Sequence, residues 1–133
     1  MLKGLSGASI WSEDHNNLLP FYRDLLGLAI AYESPGFVGF GERSESGGYR
    51  GAYLGLGTHS EVKGKPADPY RHMVGLESDD VDADFERLIA AGVEVIEQPT
   101  DSGGLRIATF KDPEGNIVQL LQPRGRSRSE GRS

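Results

Sequence analysis

His15, His59 and His72 are the side chains of this sequence best suited to hold a metal or move a proton, and Asp79, Asp80, Asp82 and Asp84 form its densest carboxylate group. There is no cysteine, which excludes a thiolate metal site, a disulfide frame and a cysteine nucleophile. His15 stands in the polar cluster Glu13-Asp14-His15-Asn16-Asn17, where a surface or capping role is expected. His59 heads a polar stretch and is expected to face solvent. His72 adjoins Met73, and a one-residue offset along a strand turns a side chain to the opposite face, so a bulge would be needed to bring it round. The four aspartates open a helix, where carboxylates complement the positive dipole end. No serine sits in a strand-to-helix elbow and no glycine-rich phosphate loop precedes a helix. Glu33 and Glu77 are left as acid–base candidates.

The elements that position these groups repeat. Asp112-Pro113-Glu114-Gly115-Asn116 is a tight turn: Pro113 presets φ, Asp112 hydrogen-bonds forward, and Gly115 supplies a positive φ. Ile117 to Leu121 then reads as a strand. From the start, Gly7 to Ser12 alternates as a first strand, with Ala8 and Ile10 on one face and Gly7, Ser9 and Trp11 on the other. Leu18, Tyr22 and Leu25 recur at helical spacing up to Gly27, with Pro20 tolerated in the first turn. Three strands follow, Leu28 to Glu33, Phe37 to Glu42 and Tyr49 to Leu56.

After a polar stretch from Gly57 to Pro69, the order starts again. Arg71 to Glu77 is a strand, Ser78-Asp79-Asp80 offers a helix cap, and Val81, Phe85, Leu88 and Ile89 form one apolar stripe ending at Gly92. Val93 to Glu97, Leu105 to Phe110 and Ile117 to Leu121 supply three more strands. Both halves read β-α-β-β-β, and Phe21 to Gly27 parallels Phe85 to Gly92. A repeat of about 65 residues suits two fused copies of one module. The expected fold class is α+β, with module one at 5–57, a linker at 58–69 and module two at 70–123 in a single domain, 1–123.

The 133-residue length suits one domain with a sizeable core. No basic, apolar leader opens the sequence and no apolar run is long enough to span a bilayer, so a soluble, cytoplasmic protein without a membrane partner is expected. The last ten residues, from Arg124, hold four arginines and one glutamate, which makes the remainder more acidic than the formal charge of −6. This segment, 124–133, has nothing apolar to bury and is expected to be a disordered basic tail. An acidic body repels phosphates, so no nucleic-acid partner is expected.

Three stretches, Trp11 to Leu28, Glu77-Ser78-Asp79-Asp80-Val81-Asp82-Ala83, and Asp112 to Gln119, together resemble the vicinal oxygen chelate superfamily. That group includes glyoxalase I, methylmalonyl-CoA epimerase, extradiol dioxygenases, fosfomycin resistance enzymes and bleomycin resistance proteins. The resemblance runs from Gly7 to Pro123 and implies two βαβββ modules forming a cupped mixed sheet.

It also implies where a metal would sit, with one ligand from each of four strands, His or Gln on a module's first strand and Glu on its last. The corresponding positions here are Gly7, Gly55, Met73 and Gln119. The two glycines have no ligating side chain and a thioether is a poor ligand for hard cations, so neither a metal nor another cofactor is expected, and no residue is assigned a catalytic role. If Gly7 and Gly55 face the cup, alternation brings Trp11, Tyr53, Met73 and Gln119 inward with them, along with Ser9, Gly57, Gly75, Ile117 and Leu121. By family register Tyr32, Phe40, Ile107 and Thr109 join this lining. Glycines in place of ligands are expected to leave room, and the aromatic rings and Met to offer flat, polarizable surfaces to a planar ligand.

The function this implies is a metal-free protein that sequesters a small aromatic molecule, an antibiotic by analogy with the bleomycin resistance proteins, with the acidic body drawing in a cationic drug. A homodimer is implied by the same resemblance. Two alternatives follow other routes: a metal-dependent lyase, epimerase, dioxygenase or thiol transferase if His72 turns inward, and a regulatory module if the aromatics are packed shut.

Overall fold

The computed structural model describes residues 1–124; the expected tail from 125 onward lies outside the described residues. Arg124 itself is anchored, its backbone N–H donating to the Gly104 carbonyl at 2.8 Å. The chain forms two compact units that meet in sequence at Lys65 and Pro66, inside the expected linker. No described helix is long and apolar enough to cross a membrane.

The first unit contains β1 (Gly7–Ser12), β2 (Ile30–Ser34), β3 (Phe37–Arg43) and β4 (Tyr49–Thr58), in the sheet order β1-β4-β3-β2. β1 runs parallel to β4, and the remaining pairs are antiparallel. Ile10, Val38, Phe40, Leu54 and Leu56 line one buried face, and the apolar residues Leu18, Leu19, Phe21 and Tyr22 of the preceding helical segment are buried with them. That segment differs from the expected α-helix. It is a 3-10 turn, His15–Asn17, followed by a π-helical turn, Pro20–Leu25, with Leu26 N–H donating to the Phe21 carbonyl five residues back. Pro20 has no N–H for an α-type bond at the helix start, and the wider π turn still allows four closely spaced apolar side chains to be buried.

The second unit contains β5 (Met73–Glu77), α1 (Val81–Ala90), β6 (Val95–Ser102), β7 (Leu105–Lys111) and β8 (Ile117–Pro123), in the sheet order β5-β8-β7-β6. Here the amphipathic reading holds for Val81, Phe85 and Leu88, which are buried, while Ile89, expected in the same stripe, is 45% exposed; α1 packs against β6, β7 and β8. Asp80 caps the helix by accepting the Ala83 N–H, and Val93 N–H returns to the Leu88 carbonyl beyond Gly92, whose φ is 83°. β6 is longer than expected because it continues through Pro99. It is an edge strand with a register shift between Glu97 and Thr100, which is where a proline lacking its N–H can be accommodated.

The Asp112 turn forms as expected. Asp112 is buried; its Oδ1 accepts the N–H groups of Glu114 and Asn116, each at 2.9 Å, and its Oδ2 accepts the Asn116 side-chain amide at 2.8 Å. Gly115 has φ 90°. The turn therefore sets the β7–β8 register through backbone bonds to one carboxylate.

Candidate functional site

Four glycines share one face of the first sheet, Gly39 in β3, Gly55 and Gly57 in β4, and Gly7 in β1. An aromatic side chain lies over each of them. A Cβ on Gly57 would run into the Trp11 indole, one on Gly55 into the Phe37 ring, one on Gly39 into the Tyr49 hydroxyl, and one on Gly7 into the Tyr53 ring. The expected vacancy above the glycines is therefore occupied. Glycine removes the side chain that would lift the neighbouring ring off the backbone, so each ring can lie across the sheet.

The rings form two linked groups. Trp11 and Phe37 have centroids 5.8 Å apart, and Phe37 reaches Tyr32 at 6.3 Å. Tyr49 and Tyr53 stack at 4.6 Å with an interplanar angle of 22°. Trp11 is 44% exposed and Tyr32 47%, whereas the other three rings are partly covered. The result is an aromatic layer whose lower side rests on the sheet and whose other side is open in part to solvent.

Three expected lining residues, Trp11, Tyr32 and Tyr53, belong to this layer. Phe40 does not. It is 3% exposed, pairs with Leu54, and its ring lies 6.5 Å from that of Tyr22 on the helix side. The register slips by one residue between Ile30 and Tyr32, so Ile30 opposes Phe40 while Tyr32 opposes Gly39. An unbroken ladder would have kept Tyr32 and Phe40 on one face. Phe37 and Tyr49 were the residues missed, and their signal was the alternating glycines opposite them.

In the second unit, Met73, Ile107, Thr109 and Gln119 share one face of the sheet. Gln119 opposes both Gly75 and Thr109, and its side-chain amide donates to the Thr109 hydroxyl at 3.4 Å. Gly75 is covered by Leu121. This face is aliphatic and polar where the first unit's is aromatic.

The metal-ligand positions do not fit a metal. Gly7 and Gly55 supply no donor and are covered by Tyr53 and Phe37, while the Gln119 amide is turned to Thr109. Among the described residues no group of three or more His, Asp or Glu side chains converges. His72 is exposed just before β5. His15 is buried, against the expected surface role, and its Nδ1 lies 2.8 Å from the Thr58 hydroxyl, tying the 3-10 turn to the end of β4. His59 meets Trp11 edge-on at 5.8 Å. Of the aspartates, Asp80 is the cap, Asp84 accepts from the Ser78 hydroxyl, and Asp82 pairs with Arg106 at 2.9 Å. That bond holds the Asp82 carboxyl below its ordinary pKa.

A family model for the Glyoxalase/Bleomycin resistance protein/Dioxygenase superfamily matches residues 4–120. The protein belongs to this superfamily. Solved structures with the superfamily fold align over most of the chain. A glyoxalase/bleomycin resistance protein/dioxygenase from Nocardioides aligns with all of this chain and 91% of its own at 20% identity and TM-score 0.69. TnmS3 from Streptomyces sp. CB03234, described as an antibiotic binding protein, aligns with 92% of this chain and 97% of its own at 27% identity and TM-score 0.66. No curated protein matches the sequence. Superfamily membership carries the fold, while the reaction or ligand depends on the site each member builds on it.

Proposed function

We propose that this superfamily member binds a planar aromatic small molecule on the open face of β1–β4 and acts by sequestering it, the ligand being an antibiotic. One observation carries the reading: two groups of rings, Trp11, Phe37 and Tyr32 and the stacked Tyr49 and Tyr53, lie over a glycine bed on one sheet face, with Trp11 and Tyr32 near half exposure. A flat ligand gains stacking and apolar burial there, and the rings lose little freedom because the sheet already holds them. The description of TnmS3, at 27% identity, supports the antibiotic class. Metal-dependent lyase, epimerase, dioxygenase or transferase chemistry fits less well, because Gly7, Gly55 and Met73 bring no hard donor. In this reading the protein works as a homodimer, as the superfamily resemblance implies, and in the cytoplasm.

Trp11 is the single tryptophan, so its emission reports on this face alone. Titration with a panel of planar aromatic antibiotics is expected to quench it saturably, and Trp11→Ala to weaken calorimetric binding at least about tenfold. A panel without any binder, or one metal per chain in protein purified without tag or chelator, would overturn the reading. Light scattering at micromolar concentration tests the dimer.

A further inference from the structure

At one end of the aromatic layer, Ala31, Tyr32, Arg43, Gly48 and Tyr49 line a half-open recess of about 210 Å³. It lies between the β2 bulge and the β3–β4 hairpin, where Gly47 and Gly48 take positive φ values of 93° and 72° and the Gly48 carbonyl accepts the Ser44 N–H. Ala31, which the bulge leaves without a cross-strand partner, receives Arg43 Nη1 on its carbonyl at 3.0 Å. That bond fixes one nitrogen of the guanidinium beside the recess, and among the described residues the other donors of the fork have no partner. Arg50, by contrast, pairs with Glu42 at 3.4 Å, whereas no carboxylate pairs with Arg43 among the described residues.

Resting on the reading that this face binds an aromatic ligand, we propose that the Arg43 recess recognises an anionic oxygen group, a carboxylate or phenolate, on one ring of that ligand. The volume is below that of a drug-sized site, so it takes one substituted ring while the rest of the molecule lies on the layer. Tyr32 and Tyr49 supply flanking aromatic surface, and a tethered guanidinium matches two carboxylate oxygens at once. The acidic body opposes an anion at long range, but at physiological salt that repulsion is screened beyond about 8 Å, so the contact at Arg43 dominates. The ligand selected is therefore an aromatic acid, not the cationic drug that net charge alone suggests.

The test compares 2-naphthoate with 2-naphthamide, matched in shape and different in charge, by calorimetry on the full chain at physiological salt, with Arg43→Gln and Arg43→Lys alongside. Wild type is expected to bind the acid about tenfold tighter than the amide, the scale of a hydrogen bond to a charged group. Arg43→Gln is expected to abolish that preference, so that acid and amide bind that variant equally, and Arg43→Lys to retain part of it. Equal binding of acid and amide by wild type, or a preference that survives Arg43→Gln, overturns the assignment of Arg43 and leaves the aromatic face standing. Binding of neither probe overturns both. The wild-type comparison needs no variant, and a thermal melt of each variant confirms that it folds.

Discussion

Trp11 and Gly57 are direct neighbours across the parallel β1–β4 pair, and a Cβ on Gly57 would enter the space the indole occupies. The glycine and the tryptophan are thus one feature. A strand that gives up a side chain lets the adjacent ring lie on its backbone, and the ring keeps one side for a partner.

Gly57→Ala is expected to push the indole off the sheet at a cost of about 1–3 kcal/mol, the range for overpacking a close contact. Ligand affinity should fall with it, and Trp11 emission should shift as the ring enters water. Gly36→Ala is the control, because nothing lies within 4 Å of its Cβ position. Chemical unfolding and emission spectra of both variants check the pair.

Trp11→Ala and Phe40→Ala are expected to separate binding from folding. Phe40 is buried against the helical segment, so its truncation should cost about 3–5 kcal/mol. Trp11 is already 44% exposed and should cost only about 1–2 kcal/mol while removing most of the ligand affinity. Urea melts and titrations on each variant measure the two quantities; equal stability losses would place Trp11 in the core.

Asp112→Ala is expected to destabilise the protein by about 2–3 kcal/mol, since two backbone N–H groups and the Asn116 amide lose a charged acceptor. Asp112→Asn keeps an oxygen for the backbone donors and should lose less. The order of the two unfolding midpoints checks the assignment.

Asp82 gains stability from Arg106 in a pH-dependent way. Its folded pKa lies below the ordinary 3.8, chiefly through the Arg106 hydrogen bond, so the unfolded chain takes up the proton first. The contribution is complete above that ordinary value and disappears as pH falls through the lower folded one. The stability difference between wild type and Asp82→Asn is expected to be constant near neutrality and to shrink toward about pH 2, as followed by thermal melts.

Much of the fold was legible because it depends on local pattern. The Asp112 turn, the α1 stripe of Val81, Phe85 and Leu88, and the glycine stops at Gly27 and Gly92 follow from dihedral preference and period. The helix after Asp14 was legible as an element but not as a π turn, because four apolar residues near a proline satisfy more than one helical winding. His15 looked like a surface residue because its partner, the Thr58 hydroxyl, is 43 positions away.

The sequence by itself determined the repeated order of a strand, a helical segment and three strands, the superfamily, and the absence of hard donors at Gly7, Gly55 and Met73, since these depend on residue type and spacing along the chain. Tertiary structure decided which rings share a face. A single bulge at Ala31 sends Tyr32 to the open side and leaves Phe40 in the core, and strand pairing sets Trp11, Phe37, Tyr49 and Tyr53 over glycines far away in sequence. Side-chain period along a strand is two, so one extra residue reverses every assignment beyond it, and only the partner strand records where that residue lies.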